Sequence, residues 1–175
     1  MRPHLTHPAL AASLLVVSGA VVVAGGSASA ATPLTAVTTP TTVHGTGFQA
    51  HSMLDTSFCI DVAPGATEGR PVALSQCTAA ASQRWGFTWN TDRTNLLVES
   101  EGMCLDGRRP KAGVAATVGY CRSADPWHYV FTAEGLIQNV RTGQCLTVPR
   151  AASGAAVYFD VCDVTRTAQL WKLSA

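Results

Sequence analysis

Charge is scarce in this chain of 175 residues, and what there is cancels: 12 Lys and Arg stand against 11 Asp and Glu. A neutral surface has no general attraction for phosphate backbones, so nucleic acid is not an expected partner. The one basic run, "GRRPK" from Gly107 to Lys111, reads as a solvated turn. Long apolar runs are missing beyond the first thirty residues, which leaves no later membrane span. Sustained helical periodicity is missing as well. So are the usual marks of catalysis. There is no nucleophile-elbow serine, and His44, His51 and His128 show no spacing that suggests a metal or a triad. "GTGFQA", from Gly45 to Ala50, has a dinucleotide-type glycine pattern but no strand–helix setting around it. Glu99 and Glu101 are like charges on a solvated strand edge, not the opposed carboxylates of a glycosidase cleft. A non-catalytic chain without cofactor or metal is the expectation.

The amino terminus carries an address. Arg2 supplies a positive start, Ala9 to Gly26 is mostly apolar, and "ASA" at Ala28 to Ala30 has the small-x-small form of a cleavage site. That layout predicts a secretory signal over residues 1–30. A retained membrane helix is the alternative, but the run is barely long enough and Gly25 and Gly26 break its end. Residues 31–46 are rich in Thr and Pro and read as a leader, leaving 47–175 as one domain. Arg2 is the sole charged residue before position 31, so the remainder is balanced at 11 against 11.

All six cysteines lie in that domain. An exported chain with an even count points to disulfides rather than zinc, because no two cysteines are close and none has a histidine nearby in sequence. Aligned on them, the chain repeats three times. Cys59/Cys77, Cys104/Cys121 and Cys145/Cys162 are 18, 17 and 17 residues apart, and an aliphatic residue (Ile60, Leu105, Leu146) follows each first cysteine. A glycine, Gly69, Gly113 or Gly154, stands eight residues before each second cysteine, which suggests a turn of positive φ. Between glycine and cysteine the apolar period is two: Val72 and Leu74, Ala116 and Val118, Val157 and Phe159. Another two-step pair comes after it: Trp85 and Phe87, Tyr129 and Phe131, Trp171 and Leu173.

Short strands separated by turns predict an all-β domain. One unit of about 43 residues cannot bury a core alone, and three are too few for a bladed propeller. Closing three units around a pseudo-threefold axis lets their large apolar residues meet in one centre, which is a β-trefoil. Pairing each cysteine with its neighbour in the same repeat is one of fifteen connectivities the count allows.

"FCIDV", "VALSQC" and "QRW" in the first repeat, "MCLD" in the second, and "QCLTV" with "QLW" in the third resemble the ricin B-type lectin family. The resemblance spans the whole domain and implies a β-trefoil, disulfides within repeats, and up to three shallow sugar pockets. It implies that an Asp after the first cysteine accepts sugar hydroxyls and that an aromatic two residues before the second stacks on the ring. An Asn before Gln-x-Trp donates further hydrogen bonds, and that Gln steadies the Asp.

The chain departs from this set in every repeat. Asp61 and Gln83 match in the first, with Ser75 and Ser82 replacing the aromatic and the Asn. Asp106 matches in the second, but Gly119 replaces the aromatic and Trp127-His128-Tyr129 takes the Gln-x-Trp place after Pro126. The third keeps Gln169 alone, with Thr147, Asp160 and Ala168 at the other places. The predicted carbohydrate contacts are therefore Asp61, Gln83 and Asp106, with Tyr120, Trp127 and Tyr158 as candidate stacking surfaces. Capping of the turn at Gly107 is the competing role for Asp106. The expected molecule is a secreted monomer that binds an extracellular glycan or polysaccharide. A trefoil that has lost its sugars and binds a secreted protein is the alternative.

Overall fold

The structure, a computed structural model, describes residues 45–62, 65, 67–90, 93–98, 102–121 and 128–175. The segments read as signal and leader lie outside these residues, except Gly45 and Thr46, which open the first strand. Twelve strands run through the described residues in three groups of four. The first group is β1 (Gly45–Ser52), β2 (Phe58–Val62), β3 (Val72–Gln76) and β4 (Trp85–Asn90). The second is β5 (Arg93–Val98), β6 (Met103–Leu105), β7 (Val118–Tyr120) and β8 (Tyr129–Phe131). The third is β9 (Ile137–Asn139), β10 (Gln144–Thr147), β11 (Tyr158–Val161) and β12 (Trp171–Ser174).

In each group the middle strands form a hairpin, β2–β3, β6–β7 and β10–β11, all antiparallel. The outer strands form the barrel: β1 pairs with β4 and β12, β4 with β5, and β8 with β9. The turn that leads into β9 meets the start of β12 where Trp171 N–H donates to Gly135 O at 2.8 Å. Gly135 has φ +91°, and a Cβ there would sit 2.9 Å from Trp171 O, so the chain comes as close here as only glycine allows.

The threefold relation is explicit in the hydrogen bonds. Val72 N–H donates to Ala116 O at 2.9 Å, Ala116 N–H to Val157 O at 2.8 Å, and Val157 N–H to Val72 O at 3.0 Å. The three repeats close a ring on themselves. The turn glycines repeat the relation one step out: Gly69, Gly113 and Gly154 donate at 2.8 Å to Val118, Phe159 and Leu74 of the next repeat. Their φ values are +84°, +79° and +79° with open space where a Cβ would go, so backbone conformation, not crowding, calls for glycine. This is the predicted β-trefoil.

The core gathers the residues that the two-step pattern picked out. Val72, Leu74, Ala116, Val118, Val157 and Phe159 are buried together with Ile60, Leu105 and Leu146. Trp85, Tyr129 and Trp171 fill its centre, each contributing about 4–6 kcal/mol by area at about 25 cal/mol per Å², an upper bound. Each also ties its hairpin to the barrel. Trp85 Nε1–H donates to Ile60 O at 3.0 Å, Trp171 Nε1–H to Leu146 O at 3.4 Å, and Tyr129 O–H to Asp106 O at 3.1 Å. Burial pushes the Tyr129 hydroxyl well above its ordinary range, so it stays a neutral donor. The disulfides are Cys59–Cys77, Cys104–Cys121 and Cys145–Cys162, one inside each repeat.

Candidate functional site

Two short 3₁₀ turns, Ala81–Gln83 and Thr167–Gln169, swing a glutamine inward just before β4 and β12. Both side chains are buried and make the same clamp. Gln83 Nε2 donates to Gln76 O at 2.8 Å and its Oε1 accepts from Thr78 N–H at 2.7 Å. Gln169 Nε2 donates to Val161 O at 2.8 Å and its Oε1 accepts from Asp163 N–H at 2.7 Å. A buried carboxamide bonded through both its nitrogen and its oxygen is a rigid peg between the hairpin and the barrel.

The first repeat adds something to the clamp. Gln83 Nε2 also donates to Asp61 Oδ2 at 3.1 Å, and Gln49 Nε2 supports Gln83 Oε1 at 3.2 Å. Asp61 sits mid-strand on β2 opposite Ala73, half-buried, so its carboxylate is anchored by one oxygen. Its other oxygen, Oδ1, is covered from solvent and has no hydrogen-bond partner among the described residues. Leaving such an acceptor unmet costs about 1–3 kcal/mol, more when it is charged. Ser75, at the place of the stacking aromatic, is half-buried on the outward face of β3.

In the second repeat the carboxylate is occupied. Asp106 Oδ1 accepts from Arg108 N–H at 2.8 Å, closing the turn at Gly107, and Arg108 Nη2 reaches Oδ2 at 2.7 Å. Arg108 Nη1 meets Glu68 Oε1 of the first repeat at 2.7 Å. Asp106, with its side chain only 12% exposed, is thus the acceptor of an ionic strap between two repeats. A sugar hydroxyl there would have to displace a guanidinium. Trp127 and Pro126, like Glu99 and Glu101, lie outside the described residues.

The third repeat holds a feature that motif matching missed. An open groove of about 340 Å³ is lined by Thr147, Pro149, Tyr158, Asp160, Arg166 and Ala168, among others. Thr147, at the Asp place, turns its hydroxyl to Ala168 O at 3.4 Å. Within that lining Arg166 Nη1 pairs with Asp160 Oδ2 at 2.6 Å, which holds the Asp160 carboxyl below its ordinary range. Tyr158 is half-buried in the groove wall, whereas Tyr120 is 54% exposed. The strand period alone put Tyr158 outward; the pairing of Arg166 with Asp160 carried no sequence signal.

His51 was also missed as a neighbour of cysteine. Antiparallel pairing of β1 with β2 sets His51 opposite Cys59, and its Nδ1 lies 3.4 Å from Cys59 Sγ and 3.3 Å from Cys77 Sγ. The three atoms have the types of a metal-ligand set and lie within 4.8 Å of one another. Both sulfurs are spent in a disulfide, and a disulfide lacks the thiolate charge that holds zinc.

Comparison with known proteins agrees with this geometry. The chain matches the model of the ricin-type beta-trefoil lectin domain over residues 48–171. It is 34% identical over 106 residues to the ribosome-inactivating protein SNAI' of Sambucus nigra, covering 59% of this chain and 17% of that one. To the ribosome-inactivating protein PMRIPt of Polygonatum multiflorum it is 32% identical over 98 residues, covering 54% and 15%. The chain therefore matches less than a fifth of the length of either relative. In fold it superposes on the designed three-fold symmetric protein ThreeFoil with a TM-score of 0.60 at 18% identity, over 73% of this chain and 97% of that one. It also superposes on a non-toxic homologue of type II ribosome-inactivating proteins from Momordica charantia, solved with α-methyl-D-galactoside. That TM-score is 0.63 at 20% identity, over 75% and 48%. With that family model running through all three disulfide-closed repeats, the chain belongs to the ricin-type β-trefoil lectin domain family, a family of carbohydrate-binding modules.

Proposed function

We propose that the protein is a secreted, non-catalytic carbohydrate-binding module whose working pocket is in the first repeat. The observation that carries this is the Asp61 carboxylate, fixed at Oδ2 by Gln83 while Oδ1 lacks a donor among the described residues. Oδ1 is covered, so a sugar reaches it only by moving what covers it; its hydroxyl is then a donor of the right kind, and a charged acceptor bonds it about twice as strongly as a neutral one. The neighbour from Momordica charantia that holds a galactoside makes a galactose-type sugar the first to test. Three disulfides suit export to an oxidising space. One shallow pocket gives roughly millimolar affinity, about −4 kcal/mol, and further pockets would add avidity. In this chain the Asp106 carboxylate of the second is taken by Arg108, and the third is lined by the Arg166–Asp160 ion pair.

Calorimetry with galactose- and xylose-type sugars, and retention on insoluble polysaccharide, test the reading. Millimolar binding lost in Asp61→Ala is the expected result; binding that survives that change unaltered removes the first-repeat assignment. The occupied Asp106 and the Thr147 replacement favour the second reading, a trefoil that has shed its sugars and binds a secreted protein. It gains if no sugar is retained and a defined secreted protein co-purifies.

A further inference from the structure

The three disulfides occupy equivalent places, but their neighbours differ. The residue facing the first cysteine across the strand pair is His51 for Cys59, Leu97 for Cys104 and Gln138 for Cys145. The first bridge has an imidazole beside it and the third a neutral amide, which donates from Nε2 to Cys162 Sγ at 3.4 Å. His51 is held from both ends. Its Nδ1 is 2.8 Å from Thr56 O and its Nε2 is 2.7 Å from Ser174 Oγ. A carbonyl oxygen can only accept, so these partners assign the proton to Nδ1, the nitrogen that faces both sulfurs.

We propose that Cys59–Cys77 is a thiol-reactive disulfide, opened by an external low-molecular-weight thiol with His51 as its positioning residue. Cys59 is fully buried and Cys77 half-buried, so attack falls on Cys77 Sγ. The incoming thiolate forms a bond to that sulfur, the bridge breaks, and its electron pair leaves on Cys59 Sγ. That new thiolate lies 3.4 Å from His51 Nδ1, whose N–H, bonded to Thr56 O while the bridge is closed, is shared with the charged sulfur and stabilises it as the leaving group. A second thiolate attacks the external sulfur of the mixed disulfide and releases Cys77 as thiolate. The external thiol is oxidised to its disulfide and the bridge is reduced to two thiols. Among the described residues, the donor beside Cys145–Cys162 is the Gln138 amide, 3.4 Å from Cys162 Sγ. Exposure alone gives a different order, because Cys121 is exposed where Cys77 is half-buried.

The experiment is a time course of the purified, fully oxidised protein with glutathione, quenched by alkylation and read by peptide mapping. Cys59 and Cys77 should label first, on the order of tenfold faster than Cys104 and Cys121, with the glutathione adduct on Cys77. His51→Gln, which copies the third repeat, should slow this bridge to the rate of Cys145–Cys162. Opening of Cys104–Cys121 first, an adduct on Cys59, or an unchanged rate in His51→Gln would each overturn the proposal. Should His51→Gln not fold, the opening order and adduct position in the unaltered protein decide it alone.

Discussion

Truncating the two clamp glutamines separates what the clamp does for the fold from what it does for Asp61. Gln169→Ala removes one bond to Val161 O and one from Asp163 N–H. At about 1 kcal/mol for each neutral bond, with a small cavity besides, the loss should be about 2–3 kcal/mol. Gln83→Ala removes the same two bonds and the bond to the Asp61 carboxylate as well. A bond to a charged group is worth about 1.5–3 kcal/mol and the bond from Gln49 Nε2 is lost too, so Gln83→Ala should cost about 5–7 kcal/mol. Asp61→Ala should behave differently. It loses the bond to Gln83 but also removes the covered, unmet Oδ1, and the two effects are of similar size. Its stability should stay within about 1 kcal/mol of the parent. Urea unfolding with the disulfides intact, compared at constant m-value, gives all three numbers. A carboxylate that costs the fold nothing to lose is one kept for something other than the fold. If Asp61→Ala instead loses more than about 2 kcal/mol, the unmet oxygen is not as described and the pocket argument fails with it. Equal losses for Gln83→Ala and Gln169→Ala would show that Gln83 does not hold Asp61 at all.

Two further outcomes follow from the same geometry. Gly69→Ala meets no neighbour and should lose about 1–2 kcal/mol through its positive φ alone, whereas Gly135→Ala also drives a methyl to 2.9 Å from Trp171 O and should lose more; thermal unfolding ranks them, and equal losses would contradict the barrel contact. Asp160 titrates below its ordinary value of 3.8 because Arg166, and then the Val161 N–H, bond its charged form. A depressed folded value means the stability it adds is full above the unfolded pKa and fades as pH falls through the folded one, so the stability gap between parent and Asp160→Asn should close in acid. A gap independent of pH would break the assignment.

Much of this was written along the chain. Recurring cysteines, the glycine eight residues before each second one, and a period of two are local and repeated. Three copies of a weak signal make a strong one, and the fold follows because no single repeat can bury Trp85, Tyr129 or Trp171 by itself. The family's motif likewise picks out Asp61, Gln83 and Asp106 as candidates. It could not say that Asp106 is taken by Arg108, because that pair depends on how one turn curls back and how Glu68 arrives from another repeat.

The number of units, their strands, the buried faces and the positions of Gln83 and Gln169 are legible along the chain, since each of these rests on spacing within a few residues. Which carboxylate keeps an unpaired oxygen among the described residues, that Arg166 pairs with Asp160 in the lining of the third groove, and that His51 lies against both sulfurs of one bridge emerge only in the folded arrangement. Those outcomes depend on strand register and on contacts between repeats, and side chains far apart in the chain meet there without leaving a periodic trace.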